Sequence, residues 1–163
     1  LWGGDLKAIE QPLLHGIRHP GDDATRMSLM PAFGRDGILS TAQIEDVTSH
    51  IRALGGQEKA SASAARGAQV YAENCAVCHG TDAKGLRDFG APNLVDAIWL
   101  YGGKRAEIVQ QIANPRHGVM PSWGDRLDAA TVRMMAAYVH SLGGGEDFAP
   151  AVPASEAAAN VQP

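Results

Sequence analysis

Tyr71-Ala72-Glu73-Asn74-Cys75-Ala76-Val77-Cys78-His79-Gly80 is the stretch on which the reading of this sequence turns. Its two cysteines are the only ones in a chain of 163 residues, and a histidine follows the second directly. A Cys-x-x-Cys-His run is the pattern of covalent c-type haem attachment. Two thiols at that spacing reach the two vinyl groups along one edge of a porphyrin, and the adjacent imidazole is then directed at the iron. A thioredoxin-type dithiol would follow a strand in a βαβ pattern. Here Ala64 to Asn74 reads as a helix, with Val70 and Tyr71 apolar among small and polar residues. A zinc site would need two further ligands at finger-like spacing, and no second cysteine pair exists.

Working outward from the motif, the chain shows a tandem repeat. Leu39-Ser40, Ile44, Val47, Ile51, Leu54 and Gly55 recur as Leu127-Asp128, Val132, Met135, Val139, Leu142 and Gly143, each 88 positions later. Both segments predict an amphipathic helix with one apolar stripe, a Ser or Asp cap and a Gly for a left-handed end. Ser40 with Gln43 reads as a capping box. Upstream of each copy stands Met-Pro, a small residue, an aromatic and Gly: Met30-Pro31-Ala32-Phe33-Gly34 and Met120-Pro121-Ser122-Trp123-Gly124. Further upstream, Leu1-Trp2-Gly3-Gly4 matches Leu100-Tyr101-Gly102-Gly103, followed by short helical patterns around Ile9 and Leu13 and around Ile108 and Ile112. The first repeat has no counterpart of Gly67 to Trp99, where the cysteines lie. The boundaries read as 1–54 for the C-terminal part of a first domain, 55–65 for a linker of Gly, Gln, Ser and Ala, and 66–142 for a complete second domain. The Ala/Pro-rich run 143–163 has little to bury and is expected to be disordered. The segment 1–54, without an opening helix or an attachment motif, is expected to be loosely folded in isolation, its amides exchanging much faster than those of Val132 to Leu142.

Composition agrees with an all-α chain. There are 19 glycines, aromatics are 6% of residues and β-branched residues are sparse, which argues for helices joined by glycine-rich loops. A net charge of −4, with no Lys/Arg cluster, argues against nucleic acid as a partner. No run approaches the ~18 apolar residues of a membrane-spanning helix, so the sequence as it stands reads as soluble. Its beginning has neither the basic start nor the apolar run of a signal peptide, and it reads as a piece of something longer.

A six-coordinate haem needs a second ligand, and downstream of the motif stand His117, Met120, Met134, Met135 and His140. Met134 and Met135 fall inside the terminal helix, Met135 on its apolar stripe, where packing explains them. His140 falls near the end of that helix. Met120 lies in an irregular loop, held extended by Pro121, and is the expected axial ligand; Met120 as loop filler and His117 as ligand remain as alternatives. Thioether ligation favours ferrous iron and raises the potential, which suits electron transfer.

The run from Cys75 through Gly80, then Gly90-Ala91-Pro92-Asn93-Leu94, Met120-Pro121 and the helix ending Tyr138-Val139-His140-Ser141-Leu142, resembles a class I cytochrome c. The resemblance implies that the helix before Cys75 crosses the final helix, bringing Gly67 and Tyr71 against Tyr138. It also implies that the Pro92 carbonyl accepts a hydrogen bond from the His79 ring and fixes its tautomer. Arg87 is a candidate for a haem propionate, the alternative being an exposed loop arginine.

The tandem arrangement narrows the likeness. His15-Gly16-Ile17-Arg18-His19-Pro20-Gly21-Asp22-Asp23, through Thr25-Arg26-Met27 to Met30-Pro31-Ala32-Phe33-Gly34, together with Gly118-Val119-Met120-Pro121-Ser122-Trp123, resembles the dihaem subunit III of cbb(3)-type cytochrome c oxidases over about Leu1 to Leu142. The fold implied is all-α, with tandem class I cytochrome c domains, the first incomplete and the second complete. The resemblance implies one haem c in this chain and two in the full-length subunit, with Met30 axial to a first haem whose attachment motif is missing here and His15 and His19 as loop residues. It implies electron transfer in the input subunit of a bacterial inner-membrane oxidase, on the periplasmic side, anchored through the missing N-terminal part. The implied partners are the other subunits of a haem-copper oxidase and an electron-donor cytochrome or quinol-oxidising complex. A cytochrome domain serving a periplasmic dehydrogenase and a haem-based gas sensor are the other readings. The chain shows no hydrolytic nucleophile with a base, no phosphate-binding loop and no catalytic site of its own.

Overall fold

The computed structural model describes residues 3–143 with Gly145 and Glu146. Six α-helices follow in order: α1 (Leu6–His15), α2 (Thr41–Leu54), α3 (Ala62–Asn74), the single turn α4 (Ala76–His79), α5 (Arg105–Ala113) and α6 (Ala129–Ser141), with a 3-10 turn at Arg87–Phe89 between α4 and α5. Among the described residues there are no strands, only two isolated bridges, both at Ile17. The fold is all-α, as the sequence predicts.

Local chemistry sets the helix starts. Asp5 accepts from the Ala8 N–H, Ser61 from that of Ala64, and Asp128 from those of Ala130 and Thr131, each satisfying amides that a first turn leaves unpaired. Ser40 and Gln43 form the expected capping box. Because Ser61 caps α3, the helix takes up residues 62–65 of the stretch expected as linker. The left-handed turn after α2 falls at Gly56, with φ 70°, while Gly55 keeps φ −77°. Of the expected disordered tail, 144 and 147–163 lie outside the described residues.

The packing crosses the repeats. α3, which leads into the cysteine motif, lies against α2 of the first repeat. A Cβ at Gly67 would stand 2.0 Å from the Asp46 carbonyl oxygen, so the two backbones meet where only glycine fits. The Asp46 carboxylate accepts from Arg66 Nε and Nη2 at 2.7 Å each and from Ser63 Oγ at 2.6 Å, and the His50 and Tyr71 rings lie 5.4 Å apart. Arg105 of α5 donates to Glu45, Ser49 and Glu58. The Met30 loop follows the same exchange: Gly34 N and Arg35 N donate to the carbonyl of Ala113, the last residue of α5. The second repeat mirrors it. Trp123 N and Gly124 N donate to the Leu13 and Leu14 carbonyls of α1, and α1 packs on α6.

Two expectations are corrected by this arrangement. Gly67 and Tyr71 meet Asp46 and His50, not Tyr138, whose side chain is 65% exposed. Nor has the apolar stripe of the first segment lost what it packs against. Val47 and Thr48 of α2 are fully buried, and Val47 and Ile51 lie inside a cluster with Phe33, Leu39, Val70, Tyr71, Cys75, Ile108 and Ile112. On α6 only Val132 and Ala136 are buried, while Met135, Val139 and Leu142 of its stripe stand open. At ~1.5–3 kcal/mol for each fully buried aliphatic side chain, packing favours the helix that the sequence led us to expect as unsupported.

Candidate haem site

The chain leaves α3 at Asn74 and turns once more through Cys75–His79. Cys78 N and His79 N both donate to the Cys75 carbonyl, and Gly80 N to that of Ala76, so the two thiols sit one helical turn apart. Tyr71 closes this turn from α3, its hydroxyl donating to the Gly80 carbonyl at 2.7 Å. Burial pushes the Tyr71 phenol up to about 12, with smaller contributions from Cys75 and Asp82. It likewise pushes the Cys75 thiol up to about 11, Cys78 adding to the effect. Both cysteines are free thiols.

His79 is buried, and its Nδ1 lies 3.0 Å from the Pro92 carbonyl oxygen. A carbonyl only accepts, so Nδ1 carries the proton and Nε2 keeps its lone pair, the tautomer a metal ligand needs. Burial lowers the His79 pKa against the opposing pull of that carbonyl, which favours the neutral ring. Gly85 N, donating to the His79 carbonyl, and Leu94 N, donating to that of Ala83, fold the Pro92 loop over the motif.

Trp99 is the residue the sequence reading missed. Its Nε1 is the one buried side-chain nitrogen or oxygen without a partner among the described residues, and the side chain packs on the cluster that holds Cys75. A buried indole N–H left unpaired costs free energy, and a carboxylate such as a haem propionate would satisfy it. Two free thiols, an imidazole in the right tautomer and an unpartnered buried donor together fit a c-type haem. Among the described residues no group of three His, Cys, Asp or Glu side chains could hold a metal ion, which a zinc reading would need.

The two methionines are parted. Met30 packs against the cluster of Cys75, Val70 and Tyr71, and its carbonyl oxygen lies 3.2 Å from His117 Nε2. Met120 packs with Leu13, Val132 and Ala136 in the second cluster and lines an apolar groove of about 360 Å³ with Ile9, Pro12, Ile17 and Val139. The structure thus does not bring Met120 into the cluster of the cysteine motif. Arg87 forms a two-pronged pair with Glu146. His15 pairs with Asp22 at 3.0 Å, and His140 Nε2 lies 2.7 Å from the Glu146 carbonyl oxygen. Met134 is 65% exposed, and Met135, expected on a core stripe, is also exposed.

Residues 62–139 match the family described as cytochrome c oxidase, cbb3-type, subunit III. The chain is 51% identical over 146 residues to the cbb3-type cytochrome c oxidase subunit CcoP of Cereibacter sphaeroides, covering 90% of this chain and 50% of that one. It is also 51% identical over 147 residues to subunit FixP of a Bradyrhizobium species, covering 90% and 50%, and 48% identical over 152 residues to subunit CcoP of Azospirillum brasilense, covering 90% and 52%. The chain spans about half the length of these curated relatives. That family implies covalently bound haem c, and among the described residues no helix is long and apolar enough to cross a membrane. Residues 62–139 therefore resemble subunit III of cbb3-type oxidases, in a chain that is similar over 90% of its length to the CcoP and FixP subunits.

Proposed function

We propose that this chain carries electrons through one haem c, as part of the electron-input subunit of a cbb3-type oxidase on the periplasmic side of a bacterial inner membrane. Cys75 and Cys78 would hold the haem, and His79 would ligate its iron through Nε2. Pro92 orients the imidazole, and Trp99 Nε1 would donate to a propionate. When bound, the haem supplies a one-electron couple whose potential the axial ligands and burial set. The observation that carries the reading is the buried His79 with Nδ1 on the Pro92 carbonyl, one residue from a free Cys78 and one turn from Cys75.

For the second axial ligand we propose Met30 in place of the expected Met120. What supports it is the exchange of halves between the repeats: the Met30 loop is tied to α5, and Met30 shares the cluster of Cys75. By the same exchange Met120 serves a second haem, held by a first-repeat motif in a longer form of the chain, and that form anchors the subunit beside the other oxidase subunits. The donor side is a cytochrome or a quinol-oxidising complex. Maturation of the chain with haem-attachment machinery and a pyridine haemochrome assay tests the core of the proposal. One haem per chain is expected. None, or two, overturns it.

A further inference from the structure

Ile17 and Arg18 form the short stretch that touches both methionine loops. Ile17 N donates to the Met120 carbonyl at 2.9 Å, and Met120 N donates back to that of Ile17 at 3.0 Å. A Cβ on the preceding Gly16 would stand 2.3 Å from the Met120 oxygen, so glycine is what lets this loop come so close. Arg18 N donates to the Arg26 carbonyl at 2.9 Å, at the start of the run into Met30. Its side chain then splits: Nε donates to the Gly118 carbonyl at 2.6 Å and Nη1 to the Ser28 carbonyl at 3.0 Å. Gly118 stands two residues before Met120, and Ser28 two residues before Met30. One guanidinium therefore grips both loops at the same distance along the chain from their methionines. Arg18 does so from φ 54°, a left-handed backbone that a non-glycine residue adopts only where its surroundings hold it there.

We infer that Arg18 is a positioning residue for axial ligation: its planar fork fixes the Met30 and Met120 loops together, so that each thioether is presented from a braced loop. A guanidinium suits this because its donors point along two fixed directions, whereas an ammonium is a single point charge. The sequence register that pairs Leu14 with Ala113 sets His117 opposite Arg18, yet among the described residues His117 has its one hydrogen bond to the Met30 carbonyl. The bridging is thus a property of Arg18. The inference rests on the reading of Met30 as ligand to the haem at His79.

The test uses the haem-loaded chain and imidazole, which competes with a thioether for ferric iron. Arg18→Gly keeps the φ of position 18 without strain and removes the guanidinium; Arg18→Lys keeps the charge and loses the fork. The thioether-to-ferric charge-transfer band should persist in both, and ferric Arg18→Gly should bind imidazole about tenfold more tightly than the parent, the equivalent of one net hydrogen bond lost from the loop, with Arg18→Lys between. Met30→Ala should abolish the band. If Met30→Ala leaves the band intact, the ligand reading falls and this inference with it. If Met30→Ala abolishes the band while Arg18→Gly binds imidazole as the parent does, the ligand reading stands and Arg18 is not a positioning residue. Should Arg18→Gly fold poorly, Arg18→Lys decides, parental affinity there counting against the fork.

Discussion

Gly67 of α3 lies so close to Asp46 of α2 that a methyl group in its place would stand 2.0 Å from the Asp46 carbonyl oxygen. The contact joins helices of different repeats, and its neighbours carry the energy. Val47 of α2 has 0% exposure, while its repeat counterpart Met135 is 36% exposed. Val47→Ala should therefore cost about 2 kcal/mol of unfolding free energy and Met135→Ala less than ~1 kcal/mol. Gly67→Ala, which must push one backbone off another, should cost ~1–3 kcal/mol. Denaturant unfolding of the haem-loaded chain measures all three. A larger loss at 135 than at 47 would mean that each repeat packs on itself.

Hydrogen exchange should show the same order. Ile44, Val47, Thr48, Ser49 and Ile51 of α2 are buried, against Val132 and Ala136 of α6. Amide protection follows local packing, so the α2 amides should exchange at least tenfold more slowly than those of α6. Equal or inverted protection would contradict the packing described here.

Much of this was legible in the sequence, and two features were not. Ser40 with Gln43 and Asp128 announced two helix starts, Ile9 with Leu13 and Ile108 with Ile112 announced α1 and α5, and the Cys75–His79 spacing announced the site. Which terminal helix α3 would choose was hidden, because α2 and α6 share one apolar spacing and hydrophobic periodicity weighs them equally. The deciding signal was polar. Asp46 meets Arg66 and Ser63, Glu45 meets Arg105, and Ser49 meets both Ser63 and Arg105. At the counterpart positions α6 carries Met134, Arg133 and Ala137. Arg105 would there face another arginine, and Arg66 would have no acceptor. Trp99 stayed hidden for a different reason: an unpartnered indole N–H is a fact of packing that no spacing reveals.

Tyr71 gives the site a dependence on alkali. Its folded pKa is raised from 10.0 to about 12, chiefly by burial. A raised acid favours the protonated native state, so this contribution to stability is fully present below pH 10 and is lost as the pH climbs toward 12. Tyr71→Phe removes the titration together with the bond to the Gly80 carbonyl. The variant should be about 1 kcal/mol less stable at neutral pH, and its stability should fall less steeply above pH 10. Parallel alkaline limbs for the two proteins would show that Tyr71 is not the group responsible.

The ligand exchange makes the sharpest demand on experiment. If Met30 supplies the thioether to the haem at His79, Met30→Ala opens the sixth position: the charge-transfer band from thioether to ferric iron disappears, and the reduction potential falls because a ligand that favours ferrous iron has gone. Met120→Ala should leave band and potential within error of the parent, since Met120 packs with Leu13, Val132 and Ala136 away from the cluster of Cys75. The two substitutions are chemically identical and fall at matching places in the two Met-Pro motifs. A difference between them therefore reports which methionine the iron sees and not a general response to losing a thioether. The reverse result, with the band lost only in Met120→Ala, would return the second repeat to a self-contained cytochrome domain and remove the exchange of ligands between the repeats.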